Sequence, residues 1–525
     1  MAGGNMADLM GQCRSQLRLG IGGPNQTRVH VNISARQRDR VGIVSFDHLY
    51  GQGNLGIRMA REILSQPGDV FTDAFIANQL GLPLDRLGHL LADRHLLLDG
   101  VEIDALGNVS GPDLVRVFLG VLGTGERQSR IKETDGENTH ASHYIYNVPS
   151  NGMDYDNFSD LRAQFPVTES LIYLNHAAVA PLVRPAAEAM KRFADDAMLC
   201  GSLHYEEWLD AYEGVRRAAA KLINVTPAEI ALMKNTSEGI ATVALGLDWR
   251  AGDRIVAFKE EFPSNQYSWQ RLEKSKGVKI DWLSVTDPLG KIEAAAKGAR
   301  LLAISFVQYL TGYRADLQAI GEICQRHGVV YFVDAIQGLG VFPLDARACH
   351  IDALAADGHK WLLGPEGCAI LYISRELQEQ VEPVEFGWMN VAGYNDYGAR
   401  NMKLRDDAGR YECGTLNTIG CFGLRASMEF LLEVGAGRTG PMIQALGDQI
   451  AEGARRKGYE VLGQRTLATG AGIVSFRKEG LESAAVVAQL KEQKISAAAR
   501  AGYVRMSPHF YITAEEIEKV IGCLP

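Results

Sequence analysis

Several things are missing from this sequence of 525 residues, and each absence narrows the reading. No apolar run approaches the roughly eighteen residues that a membrane-spanning helix needs, so no membrane span is expected. The opening stretch, MAGGNMADLMGQCRSQLRLGIGG, lacks the continuous apolar core of a secretion signal, and a cytoplasmic protein is expected. There is no excess of positive charge. The net charge is -9, which disfavours a long nucleic-acid groove or an anionic membrane surface. The eight cysteines, Cys13, Cys200, Cys324, Cys349, Cys368, Cys413, Cys421 and Cys523, include no C-x-x-C pair. Neither a disulfide framework nor a metal site is expected from that scatter. No internal repeat is visible.

What is present is ordinary globular composition, 46% hydrophobic and 22% charged, on a chain long enough for two or three domains. Residues 1–40 are polar and poorly periodic. Over 41–123 apolar residues recur at helical spacing. The run FTDAFIANQLGLPLDRLGHLLADRHLLLDG predicts two short helices around Gly81, a small mainly helical domain of winged-helix type. Its second helix offers Arg86, His89 and Arg94, but Asp85 and Asp93 dilute the charge, so packing or protein contact is favoured over DNA binding. Residues 124–160 are rich in Gly, Asn, Ser, Asp and Glu and read as a linker. Beyond them, to 525, strand-like runs such as RIVAF, LLAISF, VVYFVDA and CAILYI alternate with amphipathic helices. That alternation predicts an α/β fold with a mostly parallel sheet.

Chemistry-bearing residues gather at the ends of those runs. Lys360, in DALAADGHKWLLGPEG, lies between an aromatic residue and a Gly-Pro turn that holds it in place. Most lysines are solvated surface charges. This one is a candidate to bind a pyridoxal phosphate (PLP) cofactor as a Schiff base, provided the rest of a cofactor site exists. Asp334 ends the apolar run VVYFV, where α/β folds present ligand groups, and could keep a pyridine nitrogen protonated; the alternative is a helix cap. Gln337 follows near the same point, plausible at a ring hydroxyl. Thr236 and Ser237, in NTSEG before a helical run, are candidate phosphate ligands or ordinary caps. His359 is a second phosphate candidate. Phe262, in EEFPSN, could stack on a ring or fill a core. Arg505, in VRMSPHFYIT, could bind a carboxylate bidentately or form a surface ion pair.

Taken in order, YLNHAAVAP, NTSEGI, EEFPSN, VVYFVDAIQG, DGHKWLLGPEG, ECGTLNT and VRMSPHFYIT resemble the class V aminotransferase and cysteine desulfurase family of fold-type I PLP enzymes, over roughly residues 165–525. The resemblance implies a large domain at about 185–420 and a smaller C-terminal α+β domain built from 161–184 and 421–525. It implies a homodimer with its active sites at the subunit interface. It gives Lys360 the Schiff-base role, Asp334 the pyridine nitrogen, Gln337 the ring oxygen and Phe262 the stacking position. Thr236 and His359 would hold phosphate, with Thr415 joining from the other subunit. Arg505 would bind the substrate carboxylate, while Asn175 and His176 line the pocket.

Two departures from the family pattern matter. Desulfurases that this chain resembles carry a nucleophilic cysteine in a loop shortly before the carboxylate-binding arginine. Here that run is AARAGYVRMS, with four residues between Arg500 and Arg505 and no cysteine. The role is open unless Cys413 fills it. Asp357 also stands two residues before His359, where desulfurases often have Ser, and is expected to point away from phosphate. The expected activity is therefore C–S lysis: β-elimination of a thiol from an S-substituted cysteine. Transamination, epimerisation and sulfoxide lysis are the alternatives, and a DNA-binding regulator is a more distant one. A small domain joined to a class V domain, without a targeting segment, also resembles the DUF–SH didomain of leinamycin-type polyketide synthases. That likeness implies a cysteinyl polyketide on an acyl carrier protein as substrate.

Overall fold

The computed structural model describes residues 157–525 apart from 399. Ahead of them it describes the backbone of five short strands. The chain divides into two compact units, residues 1–144 and 145–525. In the first, β1 (His30–Ser34) pairs antiparallel with β2 (Ile43–Asp47). A second small sheet holds β3 (Phe71–Thr72), β4 (Glu102–Ile103) and β5 (Asn108–Ser110), with β5 in the middle. The two helices expected around Gly81 lie outside the described residues, as does most of the 124–160 segment. Its last residues belong to folded structure: helix Phe158–Arg162 is capped by Asn157 and buries Leu161.

After β6 (Ile172–Tyr173), the second unit is built on seven strands: β7 (Ile230–Met233), β8 (Arg254–Phe258), β9 (Lys279–Leu283), β10 (Leu301–Ser305), β11 (Val330–Asp334), β12 (Ala353–Asp357) and β13 (Ala369–Ile373). Their order is β7-β13-β12-β11-β10-β8-β9. Six run the same way; β13 is antiparallel to both of its neighbours. β10, β12 and β13 are buried along their whole length, which is why they read as unbroken apolar runs. Helices cover both faces, so the sheet separates two apolar clusters. On one side helices Arg184–Cys200, Tyr205–Ile223 and Thr418–Val434 pack together. Residue 421, the expected start of the small domain, therefore falls inside a helix that packs on the large one.

The smaller C-terminal sheet has the order β14-β15-β18-β17, from β14 (Glu460–Val461), β15 (Val474–Arg477), β17 (Ala498–Arg500) and β18 (Tyr503–Met506). The intervening β16 (Ile495–Ser496) pairs instead with β6, and Asn175 bridges to Ser507. Residues just after 170 thus pair with the C-terminal part. β17 and β18 are joined through Ala501 (φ 49°) and Gly502 (φ 81°), with Arg500 opposite Tyr503. Two successive left-handed residues make the tight hairpin turn that follows the natural strand twist. No helix among the described residues is long and apolar enough to cross a membrane.

Candidate active site

The same-facing strands bring their C-terminal ends to one edge of the sheet, where open α/β sheets bind ligands. Ser305 ends β10, Asp334 ends β11 and Asp357 ends β12, with Asp334 in register between Ser305 and Ala355. Thr236 opens the helix that follows β7, and Phe262 follows β8. That helix, Thr236–Gly246, comes very close to the sheet. A Cβ at Gly239 would lie 2.8 Å from the Ala355 side chain, so only glycine admits the approach.

Lys360 sits on a turn fixed at several points. Gly358 N–H donates to the Cys368 carbonyl at 2.9 Å, and Leu363 N–H to the Lys360 carbonyl at 3.1 Å. The His359 carbonyl accepts from Ala180 N–H at 2.7 Å. Trp361, buried, donates from Nε1 to Gln337 at 2.7 Å. The ammonium lies 5.7 Å from the centre of the Phe262 ring. Burial pulls the Lys360 amine down to about 8; Arg505 and Arg500 push the same way, against Asp334 and Asp357. Near neutrality a real fraction is then the free amine, the form that acts as nucleophile or base.

Asp334 is buried and raised to about 6 by desolvation, while Ile336 N–H and Lys360 oppose the shift. Arg505 is also buried. One guanidinium nitrogen donates to the Tyr309 carbonyl at 2.9 Å, and burial and Arg500 lower its affinity for the proton to about 10. Phe262 is 45% exposed, with its ring edge-on to Tyr309 at 5.3 Å. It is open to a planar group on its free face.

The profile of the aminotransferase class-V family matches residues 172–520. The chain belongs to that family. A probable cysteine desulfurase from Pyrococcus abyssi is 32% identical over 390 residues, 70% of this chain and 96% of the relative. The apo structure of cysteine desulfurase from Thermococcus onnurineus superposes with a TM-score of 0.65 at 30% identity, over 69% of this chain and 96% of that one. The cystine C–S lyase C-DES, in complex with cysteine persulfide, superposes at 0.64 and 26% identity, over 68% and 98%. A mutant of the same lyase carries glycine covalently linked to its PLP cofactor.

PLP is the cofactor of this family, and the residues here fit it. Buried polar atoms are normally paired. Among the described residues, the buried side-chain atoms without a hydrogen-bond partner include Thr236 Oγ1, His359 Nδ1, Arg505 Nε and Asn175 Oδ1, all expected site residues. A phosphate would give the Thr236 hydroxyl an acceptor and a carboxylate would give the Arg505 Nε–H one, whereas the Asn175 oxygen needs a donor and His359 Nδ1 already faces Asp357 Oδ1. Thr236 and His359 would hold the phosphate, Asp334 the ring nitrogen, Phe262 a ring face and Lys360 the aldehyde carbon.

Other site residues sit differently from the expectation. His176 is fully buried with both ring nitrogens engaged: Nδ1 meets the Ser507 carbonyl at 2.9 Å and Nε2 the Tyr511 hydroxyl at 2.8 Å. Burial lowers its pKa to about 4, so it is a neutral structural imidazole. The amide of Gln337 is largely used in placing the lysine turn, because Nε2 donates to the Ala177 carbonyl at 3.0 Å and Oε1 receives Trp361. Ser237 pairs with Ser264 at 2.7 Å. Asp357 turns to His359, with Oδ1 and Nδ1 2.9 Å apart but not aligned as a hydrogen bond. Thr415 is exposed, on a segment tied to the lysine turn by Asn417, whose Nδ2 donates to the Gly367 carbonyl at 3.0 Å. Away from the site, ligand atoms of Asp196, Cys200 and His204 lie within 4.8 Å of one another, and the Asp196–His204 ion pair at 2.8 Å accounts for the grouping.

One carboxylate was not legible beforehand. Glu261 is buried beside Asp334 and accepts from Ser305 N–H at 2.7 Å and from the Ser305 hydroxyl. Burial raises it to about 7, with Asp334 adding to the shift. The folded apoprotein therefore keeps a proton that the unfolded chain releases, and this contribution to stability falls as pH rises from about 4.5 through 7. Glu261→Gln is expected to gain on wild type by about 3 kcal/mol between about pH 5 and about pH 8. Urea midpoints of both apoproteins at the two pH values check it; parallel pH profiles contradict it.

Proposed function

We propose that this enzyme is a PLP-dependent C–S lyase that β-eliminates a thiol from an S-substituted L-cysteine, with water, to give thiol, pyruvate and ammonia. The observation that carries the reading is the β17–β18 hairpin. It closes through Ala501 and Gly502 just ahead of Arg505 and holds no thiol. A persulfide-forming desulfurase needs a thiolate nucleophile. Cys413 is a poor substitute, because its thiol is directed at Glu385 Oε2, 3.5 Å away, and burial and that carboxylate raise its pKa.

When bound, PLP acts as the electron sink that acidifies the substrate Cα–H. Arg505 fixes the substrate carboxylate and with it the orientation of the Cα–H bond. The Lys360 amine, with its pKa near 8, takes the Cα proton. Departure of the β-sulfur as thiolate then needs no protein nucleophile. Arg500, exposed on the hairpin and acting on the field at Lys360, favours that anion.

The finer reading, a cysteine thioether carried on an acyl carrier protein, is supported by the separate unit of residues 1–144 ahead of the class V unit. A homodimer is supported by four large apolar side chains exposed around one helix end, Met198, Leu199, Leu203 and Tyr205, and by the exposed Thr415. S-alkyl-L-cysteines are the test. Pyruvate and free thiol in equal amounts are expected. Racemised or transaminated amino acid without pyruvate, or alanine with persulfide from free cysteine, would overturn the lyase.

A further inference from the structure

A cleft of about 470 Å³ opens beside the site, between the large sheet and the C-terminal part. Its volume falls in the range of about 300–1,000 Å³ that seats small ligands. One wall is the segment from Lys259 to Gln266, which includes Glu261 and Pro263; a second is Gln308–Thr311; Leu462 and Tyr503 close it. The cleft meets the catalytic groups through Tyr309. Tyr309 lines it, packs its ring against Phe262 and gives its carbonyl to Arg505. Tyr503 comes from the short hairpin that stands where a cysteine-bearing loop is expected.

The side-chain amides of the walls are already used. Gln308 Oε1 accepts from Leu310 N–H at 2.9 Å and from the Thr311 hydroxyl at 2.8 Å, and its Nε2 donates to the Glu260 carbonyl. Gln266 Nε2 donates to the Lys259 carbonyl at 2.8 Å. What remains for an occupant is mainly apolar: Pro263, Tyr309, Leu310, Leu462 and Tyr503. With Arg505 holding the substrate carboxylate on the other side of Tyr309, the sulfur substituent has this cleft to enter.

We propose that the cleft is the subsite for the S-substituent, and that the enzyme selects cysteine thioethers with an extended, mainly apolar substituent over S-methyl-cysteine or free cysteine. This rests on the lyase reading above. The binding test is calorimetry on the full-length holoenzyme with 3-(alkylthio)propanoates. These carry the carboxylate and sulfur of the substrate but no amine, so they bind without reacting. From methyl to hexyl, affinity is expected to rise about fourfold per added methylene until the cleft is filled. Leu462→Trp should remove the gain for the hexyl compound and leave the methyl compound, and turnover of S-methyl-L-cysteine, unchanged. Tyr503→Ala, which widens the cleft, should weaken the hexyl compound several-fold more than the methyl one. A flat series in wild type, or variants that weaken both compounds equally, would overturn the subsite. A rising series without pyruvate from any thioether would keep the subsite and reject the lyase.

Discussion

Lys360→Ala is expected to lower turnover of S-alkyl-cysteines by about 10⁴-fold or more, the upper end of what one general base contributes. Two functions go together: the amine that links the cofactor and the base that takes the Cα proton. Borohydride should fix the cofactor mass on wild-type Lys360 and leave the variant unmodified. Charge alone is a competing explanation, because Lys360 and Asp334 act on each other's proton affinity. Lys360→Arg separates them. A guanidinium keeps the charge facing Asp334 but stays protonated, so it offers neither a nucleophile nor a base. Arg is therefore expected to be as inactive as Ala. Recovery of activity with Arg would assign Lys360 an electrostatic role and remove it from the chemistry. The fold should survive either change, since the Lys360 side chain makes no hydrogen bond that holds the turn; the turn is held by backbone bonds of Gly358, Leu363 and the His359 and Lys360 carbonyls, which either substitution keeps.

The parts of the site that were legible in sequence share one physical trait. Asp334 and Asp357 follow apolar runs directly, with Lys360 three residues after Asp357, and a buried parallel strand announces its end by the first polar residue. Thr236 was legible because a capped helix start is a local pattern. Which way a side chain turns is not local. His176 and Gln337 carry the right chemistry at the right place, yet each spends its polar atoms on backbone carbonyls, a hydroxyl or an indole. Glu261 was missed for the opposite reason. Two successive acids, Glu260 and Glu261, carry no local mark of burial, and only the tertiary position of Ser305 shows that the second is buried. Strand direction was also beyond composition: CAILYI looks like its parallel neighbours, but the connection after β12 is too short to cross back, and β13 runs antiparallel. Residue 421 lies inside helix Thr418–Val434, whose apolar face meets two helices far earlier in the chain, a packing that no local pattern announces.

Arg505 offers the second large effect. Its guanidinium is buried, anchored through one nitrogen to Tyr309, and has a buried Nε with no protein partner. A carboxylate there would meet a charged, bidentate donor in a desolvated place, where truncating one partner of a charge pair costs about 2–5 kcal/mol. Arg505→Ala is expected to reduce kcat/KM for S-alkyl-cysteines by about 30- to 5,000-fold. Arg505→Lys should recover little, because an ammonium cannot present the planar fork and loses its charge more readily when buried. A general loss of folding would produce the same numbers, so the decisive comparison uses substrates. S-alkyl-cysteamines have the amine and the sulfur but no carboxylate. They should react poorly with wild type and no worse with Arg505→Ala, since the interaction is already absent from the substrate. If the substitution slows the cysteamines as much as the cysteines, Arg505 holds the site together through Tyr309 and does not read the carboxylate.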